Sequence, residues 1–445
     1  MRYKSNFPAA SLVFLLAALS SSLGAQTVRF HTNLGDMDVA LTPSVAPATV
    51  ANFLSYMNKG LYANTIFHRS VGGFVIQGGG FQLQGNLPVA TATDPPVKNE
   101  FNVSNTRGTI AMAKVGNDAN SATNQWFFNL DDNGGNLDGQ NGGFTVFGKI
   151  VNNAGLQVMD RIAAQPVYSL TNINSAFDSI PLTGYKGTGA VVASNYVSVI
   201  SVFQIPVITT GGVQSAASFA TTGITGVAPG EFIAIYGQSM GPSNLATLTV
   251  DGNGIVNTSL GGTRVLFDGT PAPIVYTSAA QISVVAPYNL AGKDTVKMVV
   301  EYQGVQGTGL TLAVAAANPA IFTLNSSGTG DGAIVRFPDG SIISSKSPAS
   351  VGDILILFGE GQGAMAPTLP DGAIVGSNLP YPTVPPVLLI DGQAVPTDYA
   401  GGAPSLINGV LQVNFKVPQL AAGTHQIQLR TADRTSPSGV TLVTK

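Results

Sequence analysis

A mainly β protein of several domains is what this sequence predicts, and three observations predict it. At 445 residues the chain exceeds one ordinary domain, so about two to four are expected. Its 53 glycines, set among many Val, Thr and Ile, mark short strands joined by tight turns. From about Pro206 onward, three signals occur twice in the same order, as a duplicated module would require. Only 10% of residues are charged and the formal net charge is -3, so neither a nucleic-acid partner nor a basic membrane-surface patch is expected.

Residues 1–25 read as an export signal. Arg2 and Lys4 form a positive start, residues 9–19 an apolar core, and residues 20–25 a small-residue stretch suited to cleavage. The apolar run falls short of the ~20 residues that span a bilayer. No later segment reads as transmembrane, so the mature chain is expected to be exported, periplasmic or extracellular, with no membrane span. The chain has no cysteine, so its stability must come from packing.

The first domain is expected over residues 26–205. Val28 and Phe30, then Met37, Val39 and Leu41, alternate as a hairpin through Asn33-Leu34-Gly35. A helix follows: Pro47 suits its first turn, Val50, Phe53, Leu54 and Met57 share a face, and Gly60 ends it. A second helix is expected over 156–163, with Leu156, Met159 and Ile162 inward.

Two repeats are expected over 206–317 and 318–445. Pro229-Gly230-Glu231-Phe232-Ile233-Ala234-Ile235-Tyr236-Gly237 matches Val351-Gly352-Asp353-Ile354-Leu355-Ile356-Leu357-Phe358-Gly359. Val265-Leu266-Phe267-Asp268-Gly269 matches Leu388-Leu389-Ile390-Asp391-Gly392, and each Asp-Gly reads as a hairpin turn. Gln281-Ile282-Ser283-Val284-Val285-Ala286-Pro287 matches Gln412-Val413-Asn414-Phe415-Lys416-Val417-Pro418. Each copy, on the order of 110 residues of short strands, has the size and texture of an Ig-like β-sandwich. No catalytic constellation lies in them. A spacer is the default role, beside a cell-surface, protein or polysaccharide ligand; an exposed aromatic platform would favour a sugar, but the sequence does not place Tyr276, Tyr288, Tyr381 and Tyr399 on a common face.

The chemistry concentrates in Phe67-His68-Arg69 and Gly73-Phe74-Val75-Ile76-Gln77-Gly78-Gly79. One arginine, one aromatic and one amide stand close together, without a nucleophile or an acid–base pair. Such a set can grip a neutral peptide bond. Rotating that bond through its twisted state costs ~18–20 kcal/mol in lost resonance, and only X–Pro bonds populate both ends appreciably. A catalyst need only bind the twisted amide better than the planar one. The twisted prolyl nitrogen regains a lone pair, and a fixed guanidinium aimed at it helps only there.

The first domain resembles the cyclophilins, peptidyl-prolyl cis–trans isomerases, over nearly its whole length. After the two segments above, Gly108-Thr109-Ile110-Ala111-Met112-Ala113-Lys114, Ser121-Ala122-Thr123-Asn124-Gln125-Trp126-Phe127, Leu137-Asp138 and Val146-Phe147-Gly148-Lys149 follow in family order. The resemblance implies a closed eight-stranded antiparallel barrel with a helix over each end. It implies that Arg69 donates to the prolyl nitrogen, that Phe74, Phe127 and Leu137 line the proline pocket, and that Gln77 anchors the substrate backbone. Ala113, Gln125, Val75, Phe144 and Lys114 take further groove positions. Lys114 stands for a common asparagine, Asn136 for the usual tryptophan and Phe144 for a histidine; these changes imply altered ligand fit and weaker cyclosporin binding. Proline-containing peptides and partly folded proteins are the implied partners, with no cofactor and no metal. The tail resembles an Ig-like C-terminal unit of secreted bacterial proteins.

Blander readings stand beside these. His31 and His425 offer His68 no ligand spacing, so His68 reads as structural; Trp126, in an alternating run, reads as core. Asp131-Asp132-Asn133 and Asn136-Leu137-Asp138-Gly139 lack the closing glutamate of a calcium loop and read as polar turns. The competing function is a non-catalytic extracellular peptide-binding or adhesion protein on the same fold, which Asn136 and Phe144 would suit.

Overall fold

The computed structural model describes residues 26–220 and 226–445, so the export-signal reading of residues 1–25 lies outside it. The described chain divides at Ile205 and Pro206 into two compact units.

In the first unit, β1 (Thr27–Thr32) and β2 (Gly35–Leu41) form the expected hairpin, with Thr32 facing Gly35. Helix α1 (Pro47–Asn58) opens on a proline, whose missing N–H would lack an intrahelical partner there anyway. No side chain at Ala46 caps it. Glu100, from a distant loop, accepts from the amides of Ala48 at 3.1 Å and Thr49 at 2.8 Å, placing a negative charge at the positive helix end. The helix ends before Gly60, whose φ of 70° is the left-handed conformation glycine tolerates.

The remaining strands are β3 (Thr65–Ile66), β4 (Arg69–Val71), β5 (Val75–Gly78), β6 (Phe81–Gln84), β7 (Leu87–Ala90), β8 (Thr109–Met112), β9 (Trp126–Asn129) and β10 (Val146–Ile150). A single turn of helix, α2 (Gly134–Leu137), precedes β10, and α3 (Asn153–Ala163) follows it. A small hairpin of β11 (Val167–Tyr168) and β12 (Ile180–Pro181) leads to β13 (Ser198–Gln204). The main sheet runs β4-β5-β9-β8-β10-β2-β1-β13-β3-β6-β7, eleven short antiparallel strands in one curled path.

This corrects the expected eight strands and two helices: the main sheet counts eleven strands and, among the described residues, the α-helices of this unit are three. Breaks in long segments multiply the strands. Phe67 and His68 separate β3 from β4, and Gly79-Gly80 separates β5 from β6. At the first break the chain changes neighbours, with the Phe67 amide donating to the Val197 carbonyl and the His68 amide to the Gln77 carbonyl. The third helix, Gly134-Gly135-Asn136-Leu137, is too short to carry a periodicity.

Side-chain alternation gives the sheet two apolar faces. Ile76, Ile110, Met112, Trp126, Phe128 and Phe147 enter one core with Phe30 and Phe53. Trp126 is fully buried there, edge-on to Phe30 at 5.0 Å, Phe67 at 5.4 Å and Phe128 at 5.6 Å. Val75, Ala111, Phe127 and Val146, their immediate neighbours in sequence, form a separate cluster with Leu137 on the other face.

In the second unit, Phe232–Gln238 pairs with Gln281–Val285, which pairs with Ile274–Thr277, while Thr263–Phe267 pairs with Thr295–Tyr302. The later half repeats the pattern: Ile354–Glu360 with Leu411–Lys416, the latter with Thr397–Gly402, and Val387–Ile390 with Gly423–Thr431. Asp268-Gly269 and Asp391-Gly392 both take positive φ at both residues, the turn that matches strand twist in a tight hairpin. Each half has its own core, and a third cluster joins Ala217, Phe232 and Val275 to Phe322, Ala403 and Val410. Two fully buried carboxylates sit at this junction. Glu360 accepts from the Ser215 hydroxyl (2.8 Å), the Ala217 amide (2.9 Å) and the Phe232 amide (2.7 Å). Glu231 accepts from the Ala228 amide (2.7 Å) and from Asn318 Nδ2 (2.8 Å).

Candidate active site

Strand register assembles the site. Arg69 on β4 faces Gln77 on β5, Gln77 faces Phe127 on β9, Phe127 faces Ala111 on β8, and Ala111 faces Val146 on β10. Directly opposed residues share a face, so this row runs from a cation through an amide to an apolar floor. Leu137, delivered by α2, completes the floor, with Phe74, Ala113 and Phe144 packed around it. Phe144 stands edge-on to Phe127 at 5.7 Å.

The Arg69 side chain is half-buried and makes no hydrogen bond or ion pair with any described residue, so its donors remain available. Gln77 Nε2 donates to Gln125 Oε1 at 2.9 Å, tying the two amides together beside it. His68 is buried edge-on to Phe81 at 5.0 Å. Burial, and then the charge of Arg69, lowers its pKa to about 4, so it is a neutral core group. Lys114 Nζ donates to the carbonyls of Asn141 (2.7 Å) and Gly143 (2.6 Å) and lies 4.6 Å from the centre of the Phe144 ring. Asn136 is exposed and accepts a hydrogen bond from Gln140.

Behind the apolar floor lies a polar assembly absent from the sequence reading. Asn133 Nδ2 donates to the Phe74 carbonyl and to Asn129 Oδ1, both at 2.8 Å. Asn129 Nδ2 donates to Asn105 Oδ1 (3.2 Å) and Thr109 Oγ1 (2.9 Å). Asn105 Nδ2 donates to Asp138 Oδ1 and to the Phe144 carbonyl, both at 3.0 Å. Only the Asn-rich turn around Asp131-Asp132-Asn133 hinted at it. Elsewhere, the four tail tyrosines form no common platform: Tyr288 is buried, Tyr276 accepts from Gln281, and exposed Tyr381 stands edge-on to Tyr399 at 5.6 Å.

The residues thus bring together an apolar floor on a curled antiparallel sheet, an edge guanidinium without a side-chain partner among the described residues, and two linked amides. A model of the cyclophilin type peptidyl-prolyl cis-trans isomerases matches residues 27–179, and one of the IPT/TIG domain matches residues 229–313. Peptidyl-prolyl cis-trans isomerase A of Dickeya dadantii is 43% identical over 157 residues, covering 34% of this chain and 80% of its own. Peptidyl-prolyl cis-trans isomerase B of Escherichia coli is 46% identical over 143 residues, covering 30% and 82%. That of Acinetobacter baylyi is 42% identical over 148 residues, covering 33% and 76%. The chain belongs to the cyclophilin-type peptidyl-prolyl cis-trans isomerase family; it is an isomerase domain followed by an IPT/TIG Ig-like domain.

Proposed function

We propose that this chain is an exported isomerase that turns X–Pro bonds in peptides and partly folded proteins by stabilising the twisted amide without a covalent step. The row Arg69–Gln77–Phe127 carries this reading. A proline ring held on Phe127, Leu137 and Phe74 would place its nitrogen toward the Arg69 guanidinium, while Gln77 and Gln125 hold the flanking backbone. Donation from Arg69 strengthens only as the nitrogen gains its lone pair, so the interaction lowers the barrier and leaves ground-state binding little changed. We read the curled sheet as closing through the continuous segment 65–71, with β13 against one half and β5 against the other. The tail serves as a spacer in this reading, with no catalytic constellation in its sequence.

A protease-coupled assay on a proline peptide tests the role of Arg69. Arg69→Ala should lower kcat/KM at least ~10-fold, about 1.4 kcal/mol of transition-state stabilisation. Peptide affinity should fall far less. Equal rates for variant and parent would remove Arg69 from the mechanism, and an inactive parent would promote a non-catalytic peptide binder.

A further inference from the structure

We propose that Asn105, Asn129 and Asn133 form a relay that sets the width of the apolar pocket by fixing its two aromatic walls; the proposal rests on reading that pocket as the proline site. The relay has a direction. Each amide nitrogen spends both hydrogens, one within the relay or on Asp138, the other on an outside acceptor. The outside acceptors at its two ends are the main-chain carbonyls of Phe74 and Phe144, the residues that flank Phe127 and Leu137. The Asp138 carboxylate next to Leu137 anchors the third point, accepting also from the Asn105 amide at 3.0 Å and the Ser104 hydroxyl at 2.6 Å.

Asn105 and Asn129 are fully buried and Asn133 is 7% exposed, so an unmade bond here has no water to replace it. Satisfied buried amides hold one arrangement rigidly, because any other leaves a donor stranded. A loop carrying Phe74 and a loop carrying Phe144 have no backbone pairing with each other; the relay spans the gap. Its members are positioning residues: they touch main chain behind the pocket, and the pocket's opening follows from where they hold it. A pocket of fixed width should prefer the five-membered proline ring over its six-membered homologue, piperidine-2-carboxylic acid.

The test uses the full chain, with kcat and KM measured on matched peptides carrying either ring. Asn133→Asp keeps the size of the side chain and removes both donated bonds. It should raise KM for the proline peptide about tenfold with kcat changed less than about twofold, and shrink the ring preference at least about threefold. Thr109→Val, which removes one acceptor at the relay's edge, should shift the ring preference in the same direction by about twofold. This second variant decides the matter if fluorescence of Trp126 shows Asn133→Asp to be unfolded. Equal losses on both peptides, or no change in either variant, would overturn the relay. Phe74→Ala separates this failure from that of the pocket itself: if it leaves proline turnover unchanged, the pocket reading fails first.

Discussion

Behind its apolar floor the first unit buries neutral amides, whereas the junction of the two tail repeats buries a pair of acids. The buried asparagine amides behind the pocket carry no charge, and His68 is held neutral by burial and the charge of Arg69. At the junction of the two tail repeats, burial raises Glu360 to about 7 against the pull of its three hydrogen bonds. Burial first, and the neighbouring charge of Glu360 second, push Glu231 well above the ordinary carboxylate range. The consequence is opposite pH dependence in one chain. His68 titrates lower in the folded state than its usual 6.5, so its contribution is present above that pH and is lost as pH falls toward about 4. Glu360 titrates higher folded than its usual 4.5, so its contribution is present below that pH and is lost as pH rises through about 7.

The largest expected effect comes from breaking the carboxylate junction. Glu360→Ala strands the Ser215 hydroxyl and the amides of Ala217 and Phe232, and should destabilise the tail by about 3 kcal/mol. Calorimetry of the full chain would show it as a drop in the tail's transition; an unmoved transition would mean the junction is replaceable. Next in size is the pH contrast itself. The chain has a single tryptophan, Trp126, so its fluorescence reports the first unit alone. That signal should melt roughly 5 °C lower as pH falls from 6.5 to about 4, while the tail's calorimetric transition moves down as pH rises past about 7. Parallel shifts would end the comparison. The smallest effect should follow from removing residues 206–445: with a separate core in each unit, kcat/KM on short peptides should stay within about twofold. A collapse in rate would make the tail part of the site.

Periodicity made much of this fold legible. The hairpin of Val28, Phe30, Met37, Val39 and Leu41 and the helix over Val50, Phe53 and Met57 bury the side that their spacing marks. The Asp-Gly pairs announced their turns because few other residues take positive φ twice in succession. Phe127 was harder: within Trp126-Phe127-Phe128 all three residues are apolar, and only knowledge of the second cluster tells which face is groove. The asparagine relay was hinted at only by the turn around Asp131-Asp132-Asn133. Asn105, Asn129 and Asn133 lie in a loop, at a strand's end and in a turn, and an asparagine in such places ordinarily signals surface. The eleven-strand division was equally hidden, because the kinks at Phe67-His68 and Gly79-Gly80 are set by which neighbour each half must reach.

The capping of α1 by Glu100 has a consequence in time. A helix capped by its own preceding residue frays and reseals locally. Here the amides of Ala48 and Thr49 are closed by a carboxylate more than fifty positions on, from the loop between β7 and β8. Those two hydrogens can trade with deuterium only when that loop lifts away. Their exchange rates would act as a clock on loop opening, read out at the far end of a helix that itself stays folded.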